Sequence, residues 1–167
     1  MYAAENGLMN GTSGSTFSPL ENLTRAQLTA VLYRMDGSPA VSGTCSFTDA
    51  KRGAYYADAL VWAERNALVN GYGSGAFGVG DAITREQLVT ILYRYAAYKG
   101  IDVSARADLS GYRDAQKISA YARDAFGWAV AAGLIRGSGD LLNPQGRTTR
   151  AEYAAIAARF HKKYIAK

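Results

Sequence analysis

Cysteine, histidine and proline are scarce in this 167-residue sequence, which contains one, one and three of them. With Cys45 as the only cysteine, the chain can form neither an internal disulfide nor a thiolate metal cluster, and the redox compartment stays open. The single histidine, His161, argues against a histidine-based metal site. We therefore expect neither a metal nor a cofactor.

Long hydrophobic runs and catalytic patterns are also missing. No stretch approaches the roughly 20 consecutive apolar residues of a membrane-spanning helix, and the first residues do not have the pattern of a signal peptide. We find no Ser/His/Asp or Cys/His set, and the glycine-rich GYGSGAFGVG segment lacks the Lys-Ser/Thr ending of a phosphate-binding loop. The sequence therefore predicts no membrane insertion, no signal peptide within this chain and no enzymatic activity.

The charge balance points to a class of partner. Nineteen Lys and Arg residues against 14 Asp and Glu give a net charge of +5, and 49% of the residues are hydrophobic. Such a chain can form a folded core and favours polyanionic partners. Nucleic acid, anionic lipid and acidic glycan all remain open on charge alone, but no nucleic-acid recognition motif is present, so we expect no specific nucleic-acid binding.

An internal repeat dominates the sequence. The segments LTRAQLTAVLYR, ITREQLVTILYR and TTRAEYAAIAAR begin at Leu23, Ile83 and Thr148. Each is preceded by a related segment, YAAENGLMNG, WAERNALVNG or WAVAAGLIRG. An aromatic-x-Asp motif opens the second and third copies, and its counterpart in the first would lie before Met1. We therefore divide the chain into repeats at 1–37 (incomplete at its start), 45–100 and 109–165.

Both recurring segments of each repeat have helical periodicity. In the closing segments, apolar residues recur at i, i+3, i+4 and i+7, as at Leu28, Val31, Leu32 and Met35. Three equivalent apolar stripes suggest a central helical bundle, because short helices gain stability mainly from tertiary burial. We predict an all-α fold of helix-loop-helix units. Its first helices end near Gly11, Gly71 and Gly137, and the last two of these glycines suit a positive φ.

Threonine, arginine and Gln/Glu recur where each closing segment starts. Thr24, Thr84 and Thr149, with Gln27, Gln87 and Glu152 three residues later, fit capping boxes. Capping does not require the intervening Arg25, Arg85 and Arg150, and a cation there opposes the helix dipole. With free backbone N–H groups, these arginines could form receptors for carboxylate or phosphate. Alternatively, they could form ion pairs between repeats with Asp49, Asp81 or Asp114.

Three aromatic residues occupy one equivalent position in the first helices: Tyr2, Trp62 and Trp128. An aromatic residue on a helix face is commonly part of a core. A partly exposed ring could instead pack against the face of a sugar, with its N–H or O–H group directed to a polar atom. Both interpretations remain open from the sequence.

Taken together, the repeated motifs resemble the S-layer homology domain family, and the resemblance covers nearly the whole chain. It implies a pseudo-threefold arrangement of three repeats around a central three-helix bundle, with ligand grooves between neighbouring repeats. It further implies binding of an anionic secondary cell-wall polysaccharide, commonly through a sugar with a pyruvate ketal, outside the cell in the cell wall or S-layer. Arg25, Arg85 and Arg150 would contact the carboxylate. The groove would be shaped by Tyr2, Trp62, Trp128, Gly11, Gly71 and Gly137.

A second function remains open at this point. The chain could be a protein-interaction or self-association module of a bacterial surface protein. The incomplete first repeat motivates this alternative, since a neighbouring chain in a homo-oligomer could complete it.

Overall fold

The computed structural model describes residues 2, 6, 7, 9, 11 and 17–166. These residues form five α-helices, which are α1 (Arg25–Met35), α2 (Ala57–Arg65), α3 (Arg85–Tyr98), α4 (Arg123–Ala131) and α5 (Arg150–Phe160). Two 3-10 turns (Ala115–Lys117 and Ala120–Ala122) precede α4, and a π-helical turn (His161–Ile165) extends α5. Only isolated bridges, and no strands, occur in the described part of the chain, which confirms the predicted all-α class. None of the described helices is both long and apolar enough to cross a membrane.

Capping boxes fix the first residue of each closing helix, α1, α3 and α5. In α1, the backbone amide of Gln27 donates to the Thr24 hydroxyl, and the backbone amide of Thr24 donates to the side-chain oxygen of Gln27, both over 3.1 Å. The same reciprocal pair forms at the starts of α3 and α5. The three capping boxes predicted from the sequence are therefore confirmed.

Two of the closing helices pack against the first helix of the following repeat. Helix α1 contacts α2, and α3 contacts α4. The apolar stripes of all three closing helices enter one hydrophobic core, in which Leu28, Leu88 and Tyr153 are completely buried. The three repeats therefore share a core.

A closed cycle of backbone hydrogen bonds joins the repeats just before their capping boxes. The Leu23 amide donates to Thr148 (2.8 Å), the Thr148 amide to Ile83 (3.1 Å) and the Ile83 amide to Leu23 (2.9 Å). These residues hold the same position in the three repeats, so each donates to one counterpart and accepts from the other. The cycle joins the repeats at one point, and a threefold relation of the whole repeats stays a prediction.

The aspartate of the aromatic-x-Asp motif holds the loop between the two helices of its repeat. The Asp49 carboxylate accepts hydrogen bonds from the amides of Phe77 (2.6 Å), Gly78 (2.8 Å) and Val79 (2.9 Å). Burial by itself would raise the pKa of Asp49, but these amides keep the pKa below its ordinary value. Asp114 does the same in the third repeat, where two loop amides bind its carboxylate and its pKa is also lowered.

Positions 71 and 137 require glycine because neighbouring atoms leave no room for a Cβ, and not because the backbone has a positive φ. A Cβ at Gly71 would lie 2.9 Å from the Ala76 carbonyl oxygen and 2.9 Å from the Phe47 ring. Gly137 meets an equivalent ring and carbonyl. The prediction of positive φ at these glycines was wrong, because the chain turns four residues earlier. The residues with positive φ after the helices are Ala67 and Gly133.

Candidate functional site

Arg25 and Arg85 link neighbouring repeats through backbone carbonyls. Nε of Arg25 donates to the Phe77 carbonyl over 2.8 Å, and Nη2 donates to the Asn70 carbonyl over 2.9 Å. Nε of Arg85 donates to Leu142 over 2.8 Å, and its Nη2 donates to Arg136 over a longer 3.3 Å. Each arginine thus holds the loop of the next repeat against the start of its own helix.

Arg150 closes the same pattern around the chain, because its Nε donates to the Phe17 carbonyl of the first repeat over 2.9 Å. Phe17, Phe77 and Leu142 are the equivalent apolar residues of the three loops. The sequence therefore singled out the three arginines correctly as more than capping residues. It did not show that backbone oxygens are their acceptors.

Within the described residues Arg25 and Arg85 form no direct ion pair, although Asp81 and Asp49 interact electrostatically with Arg25 and Asp114 does so with Arg85. The ion pairs within the described residues are Lys99–Asp36, Arg106–Asp124 and Arg113–Asp140. The three aspartates considered as partners bind other groups. Asp49 and Asp114 accept from loop amides, and Asp81 accepts from the Tyr72 hydroxyl.

Backbone amides at the helix starts are occupied as well. The amides of Arg25, Arg85 and Arg150 donate across the repeat boundary to the carbonyls of Asp81, Gly146 and Glu21, over 2.9–3.0 Å. The prediction that these amides are free to bind an anion is therefore wrong. Each of these three amides is already engaged in joining the repeats.

Burial differs among the arginines. Arg25 is 5% exposed and Arg150 4%, whereas Arg85 is only half-buried. Burial lowers the pKa of Arg25, although Tyr72 and Asp81 oppose that shift, and burial likewise lowers the pKa of Arg85. A guanidinium remains charged at neutral pH despite such shifts. All three are therefore cationic.

A cavity of about 390 Å³ opens beside Arg150. Its lining combines one face of α1 with the segment that precedes α1 and a tyrosine of the second repeat. We call it the Arg150 groove; its lining residues are Met9, Gly11, Gln27, Ala30, Val31, Arg34, Tyr55 and Arg150. Cations and a tyrosine thus surround a largely aliphatic floor.

A cavity of about 200 Å³ occupies the equivalent place beside Arg85. We call it the Arg85 groove; its lining residues are Arg85, Leu134, Ile135, Arg136, Glu152, Ala155, Ile156 and Arg159. Glu152, Ala155, Ile156 and Arg159 correspond by register to Gln27, Ala30, Val31 and Arg34 of the Arg150 groove. The same helix face therefore forms a groove in two different repeats.

Sequence reasoning missed a second recurring arginine, which lines both grooves as Arg34 and Arg159. It lies nine residues after the first arginine of the same copy, as Arg34, Arg94 and Arg159. That recurrence was a signal in the repeated segments. Tyr55 was also missed; its counterpart in the third repeat is Tyr121, and the two are 62% and 55% exposed.

The structure places Trp62 and Trp128 in the core, where they are 3% and 1% exposed. Trp62 packs edge-on against Tyr95 and Tyr98, and Trp128 packs edge-on against Tyr93. Their burial supports the interpretation of these rings as core residues.

Tyr2, the counterpart of the tryptophans, contacts the C-terminal turn. Its hydroxyl and Nδ1 of His161 are hydrogen-bonded over 2.9 Å, and Nζ of Lys162 lies 4.4 Å from its ring centroid. Among the glycines of the predicted site, Gly11 lines the Arg150 groove. Gly71 and Gly137 instead pack under the loop of their own repeat.

Comparison with protein families identifies the repeats. The model of the S-layer homology domain matches residues 1–29, 46–89 and 111–154, which together exceed half of the chain. The chain belongs to the S-layer homology domain family. The arginines and grooves described above therefore lie in an array of S-layer homology repeats.

Several curated proteins share this array. An endoglucanase of Bacillus sp. (strain KSM-635) is 33% identical over 91% of the chain, which spans 16% of that protein. The surface-layer 125 kDa protein of Lysinibacillus sphaericus is 27% identical over 92% of the chain and 13% of its own length. A cellulosome-anchoring protein of Acetivibrio thermocellus is 27% identical over 90% of the chain and 34% of its own length. The S-layer homology array thus spans a small part of each relative.

Proposed function

We propose that this S-layer homology array anchors a protein non-covalently at the bacterial cell surface by binding an anionic cell-wall polysaccharide. Family membership and relatives named for the surface layer and for cellulosome anchoring support this proposal. The relatives that are named as enzymes share only the array with this chain, over 8–16% of their length for the first three of them. In our proposal the array binds the wall and carries no catalysis.

The recurrence of one cationic groove in two repeats is the observation that carries the proposal. The Arg150 groove contains Arg34 as a second cation, and the Arg85 groove contains Arg159 and Arg136. Between the cations lie aliphatic side chains of the closing helix, with Gln27 in the Arg150 groove and the single carboxylate of Glu152 in the Arg85 groove. Such a surface suits a sugar ring that bears a carboxylate, because the ring packs on the apolar floor and the guanidinium groups bind the charge.

The hydrogen bonds of the arginines indicate which atoms face a ligand. Nε and Nη2 of Arg85 are bound to carbonyls, and within the described residues its Nη1 has no acceptor. The Arg34 guanidinium makes no hydrogen bond within the same part of the chain, and Arg34 lines the Arg150 groove. We therefore assign the carboxylate to Nη1 of Arg85 in one groove and to Arg34 beside Arg150 in the other. The family resemblance supports a pyruvate ketal as the group that carries this carboxylate.

Co-sedimentation with purified cell-wall sacculi tests this function, with Arg34→Ala and Arg94→Ala as a matched pair. Both arginines hold the same position on their helices and are half-buried, but only Arg34 lines one of the cavities. A charge-assisted hydrogen bond is worth about 1.5–3 kcal/mol, so Arg34→Ala should weaken binding at the Arg150 groove by about 10- to 100-fold. Arg94→Ala should leave binding unchanged.

Two outcomes would contradict the proposal. Binding that persists after the secondary polymer has been removed from the sacculi would exclude the polysaccharide as the ligand. An equal loss in Arg34→Ala and Arg94→Ala would show that net charge, and not the groove, drives attachment. Thermal melts of both variants control for misfolding.

A further inference from the structure

The register of the repeats calls for a third groove beside Arg25. Its floor would be the face of α3 that carries Gln87, Thr90 and Arg94, in the same way that α1 and α5 supply the floors of the other two. Three cavities stand out among the described residues, and Arg25 lines none of them. The third of these cavities lies around Cys45 and Lys51, away from the closing helices.

Aromatic rings occupy the space around the Arg25 guanidinium. Its central carbon lies 4.5 Å from the ring centroid of Phe77 and 5.0 Å from that of Tyr72. The Tyr72 hydroxyl donates to Asp81 over 3.0 Å, which holds the ring in place. A cation desolvated between ring faces is favourable, so these contacts stabilise the covered arrangement.

The Arg85 groove lacks this cover. At the position that corresponds to Tyr72 the third repeat has Ser138, and at that of Phe77 it has Leu142. Neither residue has an aromatic ring, and Arg85 is more exposed than Arg25. Arg150 lies 5.0 Å from the Phe17 ring centroid and still lines an open cavity, so the added ring of Tyr72 is what distinguishes Arg25. The counterpart of Tyr72 in the first repeat is Thr12, which is outside the described residues. The cover over Arg25 is therefore built by a residue of the second repeat that the third repeat replaces with a small one.

At two positions α3 has larger residues than the other closing helices. Thr90 stands where the open grooves have Ala30 and Ala155, and its hydroxyl donates to the Glu86 carbonyl over 2.7 Å. The buried Glu86 carboxylate accepts from Ser119 and from the Tyr121 hydroxyl. Alanine occupies the position of Glu86 in the other repeats. Tyr121 is thereby tied in place, whereas its counterpart Tyr55 lines an open cavity.

We infer that Tyr72 closes the groove at Arg25, so that the array binds anionic sugar in two grooves and uses Arg25 only to join the repeats. This inference rests on the proposed function for the ligand, but the covering of Arg25 stands on its own geometry. It makes Tyr72 the determinant of how many grooves bind.

Calorimetric titration with a methyl hexoside that carries a 4,6-pyruvate ketal tests the inference. The unmodified chain should bind two equivalents, one for each open cavity. Tyr72→Ser combined with Thr90→Ala reproduces the small residues of the third repeat and should add a third equivalent. Tyr72→Phe keeps the ring and should leave two. Three equivalents in the unmodified chain, or no gain in the double variant, would overturn the inference.

A second measurement separates this inference from the proposed function. If the unmodified chain does not bind the probe, the proposed function fails, and the cover is then tested by modification with phenylglyoxal and peptide mass spectrometry. Arg25 should react more slowly than Arg85 in the unmodified chain and should lose that protection in Tyr72→Ser. Equal reaction of Arg25 and Arg85 in the unmodified chain would refute the cover whether or not the sugar binds.

Discussion

Arg25→Met keeps much of the volume of the side chain while it removes the two guanidinium hydrogen bonds from the first repeat to the second. The substitution leaves the carbonyls of Phe77 and Asn70 without the donors that they have at 2.8 and 2.9 Å. Because Arg25 is 5% exposed, water cannot replace those donors without rearrangement. We therefore expect a large loss of stability, independent of any ligand.

Arg85→Met provides the matched comparison. Hydrogen bonds from charged donors contribute about 1.5–3 kcal/mol each, which gives about 3–6 kcal/mol for the two short bonds of Arg25. Arg85 has one bond of 2.8 Å and one of 3.3 Å, beyond the usual distance range, so its loss should be about 1.5–3 kcal/mol. At about 2–4 °C per kcal/mol for a chain of this size, the two variants should differ in Tm by about 3–12 °C.

Differential scanning calorimetry, with urea unfolding at 25 °C as a check, measures both losses. The reasoning predicts a lower Tm for Arg25→Met than for Arg85→Met. A Tm of Arg25→Met within error of the unmodified chain would refute the assignment of Arg25 as a structural link. A loss for Arg85→Met as large as for Arg25→Met would refute the ranking by hydrogen-bond distance and burial.

Two further predictions concern the loops. Asp49→Asn should destabilise the chain by about 2–3 kcal/mol, because the charged acceptor of three amides is lost. Since the pKa of Asp49 and that of Asp114 are lowered in the folded chain, the stabilisation is present above an unfolded pKa of about 3.9 and is lost as pH falls through the folded pKa. Urea titrations between pH 7 and pH 3 should show a smaller fall for Asp49→Asn than for the unmodified chain, and parallel curves would contradict this. Gly71→Ala should cost about 1–3 kcal/mol, whereas Gly73→Ala, where a Cβ meets nothing within 4 Å, should be nearly neutral in the same assay; equal losses would exclude the close contact as the cause.

The capping boxes and apolar stripes could be predicted from the sequence because each depends on residues a few positions apart. A capping box needs only Thr24 and Gln27, three residues apart, and both are visible in the repeated segment. The apolar stripe of α1 likewise follows from spacing within one helix. The same holds for the division into first and closing helices, since each is marked by its own recurring segment.

The partners of the arginines could not be read in the same way. Arg25 binds the carbonyls of Phe77 and Asn70, which lie 52 and 45 residues away. Every residue has a carbonyl, so no side-chain pattern marks the acceptor, and the search for a carboxylate partner led to aspartates that bind other groups. The role of Gly71 was misread for a similar reason, because the close contact comes from Phe47 and the Ala76 carbonyl in three dimensions.

The grooves were only partly accessible to sequence reasoning. Arg34 and Arg159 recur at one spacing and could have been singled out, whereas the cover over Arg25 depends on the placement of the Tyr72 ring. The three arginines therefore hold equivalent positions in the sequence, but their surroundings in the structure differ.

The most direct test of the central claim is a crystal structure of this chain with a hexose that carries a 4,6-pyruvate ketal. The account predicts ligand density in the Arg150 groove with the carboxylate at Arg34, and in the Arg85 groove with the carboxylate at Nη1 of Arg85. Density with the carboxylate at Arg25, or sugar bound away from both grooves, would contradict it.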